Sequence, residues 1–154
     1  MSGDRDTQFI ETTMDDDEID RLLRGQGHGI VSLCDGGQPY SIPVSFGYDG
    51  DHLYFPFLVT DEARKSTVIE AESLVRFLVT DVRDLFNWQS VSVTDHVEAV
   101  DPDSSEWDRF VDALVKQGWF KPEFEHAASI DSIEGWRLGM ESVDGRKREA
   151  FTYE

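Results

Sequence analysis

Two strand-like runs carry the residues whose types and spacing could hold a ligand. In residues 38–48, alternation sets Tyr40, Ile42, Val44, Phe46 and Tyr48 on one face and Ser41, Pro43, Ser45 and Gly47 on the other. The bulky set is expected to fill a core. The small set lets a flat ligand or a second subunit approach the backbone closely, or it packs under a helix. Residues 88–100 repeat the arrangement, with Val91, Val93, Val97 and Ala99 opposed to Ser90, Ser92 and Thr94. Those hydroxyls can donate to carbonyl or phosphate oxygens, or simply to water. Arg64-Lys65, followed by Ser66 and Thr67, offers a guanidinium fork, an ammonium and hydroxyls to a phosphate. Pairing with Glu62 or Glu70 is the plainer use of the same cations. The Arg146-Lys147-Arg148 cluster after Gly145 is read as neutralising nearby acids rather than gripping a phosphate. His28, His52, His96 and His126 show no metal-ligand spacing, and His96 with Glu98 on one strand face does not define a site. Neither G-x-S-x-G, a P-loop nor G-x-G-x-x-G occurs, so hydrolase, NTPase and dinucleotide-fold readings lack support.

The elements that must position these residues follow from hydrophobic period and turn chemistry. Thr13 as a cap, Asp15, Asp16 and Asp17 in a first turn, and the stripe Ile19, Leu22, Leu23 predict a helix over 14–24 closed by Gly25. Strands are predicted at 28–34, 38–48 and 52–57, joined by turns at Asp35-Gly36-Gly37 and Asp49-Gly50, as an antiparallel meander. A short helix at 60–72, strands at 74–81 and 88–100, and a helix from Ser104 or Ser105 to Gly118 follow. In the last of these, Trp107, Phe110, Val111, Leu114 and Val115 keep the helical period. Residues 119–134 show no clean period and read as a loop with a helical turn. Strands at 135–143 and 148–153 separated by Asp144-Gly145 end the chain. The fold class expected is α+β, mainly β: a six-stranded antiparallel split barrel, closed or nearly so, with flanking helices.

Length and charge set the outer limits. With 154 residues the chain suits one domain, with 1–12 as an N-terminal arm. Lys plus Arg number 14 against 32 Asp plus Glu, a net charge of −18 spread along the sequence, which repels nucleic acid and anionic lipid. It reads as a solubility coat of the kind concentrated salt screens. Cys34 is the one cysteine, so an intramolecular disulfide and a cysteine zinc cage are excluded and a reducing compartment is expected. No run of about 18 apolar residues and no signal-peptide pattern occurs. A cytoplasmic protein is the expectation.

In order, GHGIVSLCDGGQPYSIPVSFGYDGDHLYF, EARKSTVIEAESLVRFLV and WQSVSVTDHVEAVD resemble successive segments of the pyridoxamine 5′-phosphate oxidase-like, FMN-binding split-barrel family, over roughly residues 15–102 and more loosely 135–150. The resemblance implies FMN as cofactor and a homodimer that shares it. It places Ser41, Pro43, Val44 and Ser45 beside the isoalloxazine ring, with backbone groups of Phe55 and Pro56 meeting the flavin. Arg64, Lys65 and Ser66 would lie on the ribityl phosphate, and Gln89 and Ser90 would reach the cofactor from the other subunit. It also implies an oxidoreductase of flavin- or nitro-reductase type, taking electrons from a reduced nicotinamide or flavin and acting on a small molecule. A non-catalytic flavin-binding or sensor protein, a deazaflavin- or haem-binding relative, and a plain interaction barrel are the alternatives. The tail GWRLGMESVDGRKREAFTYE lacks the pattern with which the family's best-known enzyme recognises pyridoxamine phosphate.

Overall fold

A computed structural model describes residues 11–58, 69–70, 72–117 and 133–149. The elements are β1 (Glu11–Thr13), α1 (Asp16–Gly25), β2 (His28–Asp35), β3 (Gln38–Ser45), β4 (Gly47–Tyr48), β5 (His52–Leu58), β6 (Leu74–Asp84), β7 (Asn87–Val100), α2 (Ser105–Lys116), β8 (Ile133–Gly139) and β9 (Val143–Arg148). All ladders are antiparallel, in the path β3-β2-β6-β7-β8-β5-β4, with β9 also on β7 and β1 on β9. The α+β, mainly β class with flanking helices stands, and nine strands rather than six form the sheet among the described residues.

Closure is where expectation and structure part. The path ends at β3 and β4, which are consecutive pieces of one run interrupted at Phe46. The first piece pairs β2 and the second pairs β5, so the wall turns a corner there and the cylinder is split rather than closed by a ladder. The runs at 28–34, 38–48 and 52–57 therefore form two hairpins and not one meander. Both turns are as read: Gly36 and Gly37 have φ of 58° and 85°, a left-handed pair that links twisted strands through two residues. At the second, Asp49 Oδ1 accepts from the backbone N–H of Asp51 and His52.

Several boundaries differ for identifiable reasons. Asp15, not Thr13, caps α1, because only Asp15 completes a capping box with Glu18. Thr13 instead pairs with Arg146 in the β1–β9 ladder, which also takes Glu11 and Thr12 out of the expected arm. The last turn falls at 140–142, and Asp144-Gly145 lies inside β9. There Gly145 makes room for Ile19 and Met14, whose side chains an added Cβ would press. β8 begins at Ile133, earlier than the sequence suggested. α2 is capped by Gln117, whose side chain also donates to the carbonyls of Leu23 and Gln26 at the end of α1. Most of the expected helix at 60–72 and most of the loop at 119–134 fall outside the described residues, and Ile69, Glu70 and Glu72, which are described, are not helical.

The core has two parts. Val31, Phe46, Phe55, Phe77, Val79, Val91, Val93 and Leu138 fill the barrel, joined by Leu22 and Leu23 of α1. Tyr54, Val100, Ile133, Phe110, Ala113 and Leu114 pack α2 onto the outside of β5, β7 and β8. The inward set of residues 38–48 is buried from Val44 onward, whereas Tyr40, at the hairpin end, is exposed. Gly47, counted with the small ligand-facing set, serves the helix instead: a Cβ there would collide with the backbone of Ala113.

A polar chain fastens α2. The Tyr54 hydroxyl lies 2.9 Å from Glu106 Oε1 and 3.2 Å from Asp49 Oδ2, and Arg137 bridges Glu106 and Glu98. Burial works against the Glu106 carboxylate, but hydrogen bonds from Tyr54 and Arg137 outweigh it and hold its pKa below the ordinary 4.5. Burial, reinforced by Glu106, pushes the Tyr54 phenol up.

Two outcomes follow. Gly47→Ala should lower the urea-unfolding free energy by about 3 kcal/mol, since the colliding atoms are backbone and cannot swing aside; an unchanged midpoint would refute this packing. Glu106 binds its proton less readily folded than unfolded, so its stabilisation is complete above the ordinary pKa and is lost as pH falls through the lower folded value. Glu106→Gln should therefore show a shallower decline of stability under acid titration than the parent chain. Parallel titration curves would contradict it.

Candidate functional site

Strand register collects the small residues into one surface. Ser41 of β3 faces Ser32 of β2, Ser32 faces Arg76 of β6, and Arg76 faces Thr94 of β7, making a transverse row. Ser32 and Ser41 share a hydrogen bond of 3.0 Å, and Arg76 Nε donates to Thr94 Oγ1 at 3.1 Å. The next row is Pro43, Ile30, Leu78 and Ser92, ending at Asp144 of β9. Beyond it, Ser45 faces His28 at one side, and Thr80, Ser90 and Arg146 line up at the other. With adjacent strands about 4.8 Å apart, β3 and β7 stand roughly 14 Å from one another across this face.

The surface is open, and its β3, β2, β6 and β7 positions are free of acids, with Asp144 standing at the β9 edge. Pro43 and Ser41 are exposed, and Ile30, Leu78, Ser90 and Ser92 are half-buried, so no bulky side chain of the described residues covers the central row. In a chain with 32 Asp and Glu, the outward positions of β2 from His28 to Cys34, β3 from Pro39 to Ser45, β6 from Leu74 to Thr80 and β7 from Trp88 to Thr94 include none. A solubility coat would have used such positions. A planar, partly apolar ligand needs the flat, uncharged relief found here.

The site residues named from the sequence separate into groups. Ser41, Pro43, Ser45 and Ser90 lie on this face. Val44 and Phe55 have side chains in the barrel core, leaving only their backbone to meet a ligand. Pro56 pairs with Gly135 in the β5–β8 part of the wall, away from the rows described. Gln89 points opposite to Ser90 and lines a cavity of about 530 Å³ with Arg21, Leu22 and Gly25 of α1. Arg64, Lys65 and Ser66 lie outside the described residues. Arg146 pairs with Glu11 and Asp144, and Lys147 with Glu18 and Glu149, as the neutralising reading held. Arg148 has no such partner among the described residues, and its buried Nε is without a hydrogen bond. Among the described residues no group of three or more His, Cys, Asp or Glu could hold a metal. Ile30, Leu78 and Arg76 were missed: alternation in 28–34 and 74–81 sets their side, but only register puts them between Ser41 and Ser92.

Comparison with known proteins agrees with this architecture. The sequence profile of the family described as pyridoxamine 5′-phosphate oxidase matches residues 15–147. No curated protein matches the chain. Among solved structures, an FAD-binding protein of Mesorhizobium loti superposes with a TM-score of 0.65 at 22% identity, covering 92% of this chain and 98% of that one. The FAD-binding protein of Mycobacterium smegmatis gives 0.69 at 18%, covering 92% and 100%. The haem storage protein HutZ of Vibrio cholerae gives 0.67 at 14%, covering 83% and 92%. At these identities the likeness shows the fold. No helix among the described residues is long and apolar enough to cross a membrane.

If the face is kept for a ligand and not for stability, Ser41→Ala should change the unfolding free energy by less than about 0.5 kcal/mol. Val44→Ala on the same strand, facing inward, should cost about 2 kcal/mol. A large loss at Ser41 would make the face structural.

Proposed function

We propose that this chain, which belongs to the pyridoxamine 5′-phosphate oxidase family, binds a flavin against the outer face of β3, β2, β6 and β7 and acts as an oxidoreductase on a small molecule. The observation that carries the reading is the acid-free platform Pro43–Ile30–Leu78–Ser92 in a chain of charge −18. Its width, apolar centre and hydroxyl margins suit an isoalloxazine ring. A bound flavin supplies hydride or single-electron transfer, so no acid/base dyad is required of the protein.

The chain's own part is to hold and orient. Pro43, Ile30 and Leu78 offer van der Waals surface to a ring, while Ser41, Ser45, Ser90 and Ser92 offer hydroxyls to its polar edge. Arg64, Lys65 and Ser66 are proposed for the phosphate, following the family resemblance. FMN is the cofactor that resemblance favours. The M. loti and M. smegmatis relatives are FAD-binding proteins, and FAD carries the same ring. A homodimer is proposed because the face is half a pocket, open on one side. The exposed apolar tip of the β6–β7 hairpin, with Val82 and Leu85 67% and 74% exposed, supports a protein contact there. A cytoplasmic setting and a reduced nicotinamide or flavin as electron donor belong to the same proposal.

The test is the visible spectrum after incubation with FMN or FAD and removal of free cofactor. The parent chain should be yellow and sediment as a dimer, and Ser92→Trp, which places an indole on the platform, should lose the colour while remaining folded. A colourless parent, or a Soret band in place of the flavin bands, would overturn the proposal.

A further inference from the structure

The structure also holds a groove beside the platform that the flavin reading does not use. The β2–β6 ladder stops at Ser32–Arg76, yet β2 runs on to Asp35 with β3, and β6 begins at Leu74 with β7. The two strands part, and the resulting groove has a volume of about 490 Å³. On the outward side, its walls are Pro39, Cys34 and Leu74, and its inner end is the row Ser41, Ser32, Arg76 and Thr94. Leu74 is 57% exposed, an apolar wall with nothing described upon it.

Arg76 is the unusual member. In a chain with 32 acids to 14 bases, Arg137, Arg146 and Lys147 each hold two carboxylates. Among the described residues Arg76 has none within ion-pair distance; its described partner is the Thr94 hydroxyl. That bond occupies Nε and fixes the guanidinium plane, leaving the two terminal nitrogens free as a parallel pair of donors. The Ser32–Ser41 pair, joined by one hydrogen bond, keeps one hydroxyl proton to give. General repulsion by the acidic surface disfavours stray anions, so an anion here must be selected by local contacts.

We propose that this groove is a binding site for a small organic acid, its carboxylate seated end-on against Arg76 and its apolar body between Pro39 and Leu74. Ser41 borders both groove and platform, so the acid would lie beside the flavin. That adjacency rests on the flavin reading, whereas the binding itself does not.

Calorimetric titration of the intact protein with benzoate tests it, with benzyl alcohol as neutral isostere and inorganic phosphate as bare anion. Saturable benzoate binding is expected. Arg76→Gln should weaken it at least about tenfold, the loss expected for a charge-assisted hydrogen-bond pair. Thr94→Val, which frees the guanidinium plane but keeps the charge, should weaken it severalfold and serves alone if Arg76→Gln does not fold. Equal benzoate affinity in the parent and in either folded variant, equal affinity for benzyl alcohol, phosphate binding as well as benzoate, or no binding to the parent would each overturn the proposal. Flavin uptake is read separately by absorbance: benzoate binding without flavin uptake contradicts only the proposed function, and the converse contradicts only this site.

Discussion

Burial of Val31, Phe77, Val79, Val91 and Val93 inside the barrel is the constraint from which the outer surface follows. Each such side chain contributes roughly 1.5–3 kcal/mol on leaving water. Because strand side chains alternate, fixing the inward set fixes the outward set with no further choice. A slip of one residue in β6 would bury Arg76 and Leu78 and expose Phe77 and Val79, a loss far larger than any gain from the outward residues. The rows of small residues are thus held in register by the core behind them, and their own contacts, such as the Ser32–Ser41 hydrogen bond, add little.

Electrostatics shapes the same surface by omission. Among the described residues the acids lie on α1, α2, the turns, the β1–β9 margin and the parts of β6, β7 and β8 outside those rows, and Arg137, Arg146 and Lys147 each tie two of them together. The exposed ones, such as Arg146–Asp144, contribute only about 0–1 kcal/mol each. The outward positions of β2 and β3, and those of β6 and β7 opposite them, carry no acid and one arginine. A soluble monomer gains nothing from leaving one wall bare, whereas a wall that meets a ring or a second subunit must avoid unpaired carboxylates.

Local patterns were legible where one element decides them. The α1 stripe, the Asp35-Gly36-Gly37 turn, the α2 period and the split of residues 38–48 and 88–100 into bulky and small faces can all be read from neighbours in the chain. What could not be read depends on long-range pairing. Gly47 looks like Ser45 until α2 is laid across it. Gly145 looks like a turn residue until Ile19 needs its space. Arg76, in LVRFLVTD, looks like an ordinary solvated cation until β6 is set against β2 and β7 with Ser32 and Thr94 on either side. Thr13 was preferred as a cap on residue type alone, but the capping box with Glu18 requires Asp15.

The most direct test of the account is a crystal structure grown with FMN. It should show the isoalloxazine ring lying on the outer face of β3 and β2, in van der Waals contact with Pro43 and Ile30, and with Ser90 or Ser92 of one of the two subunits at its edge. Ring density against the α2 side of the sheet, or that outer face packed by protein with no cofactor, would contradict it.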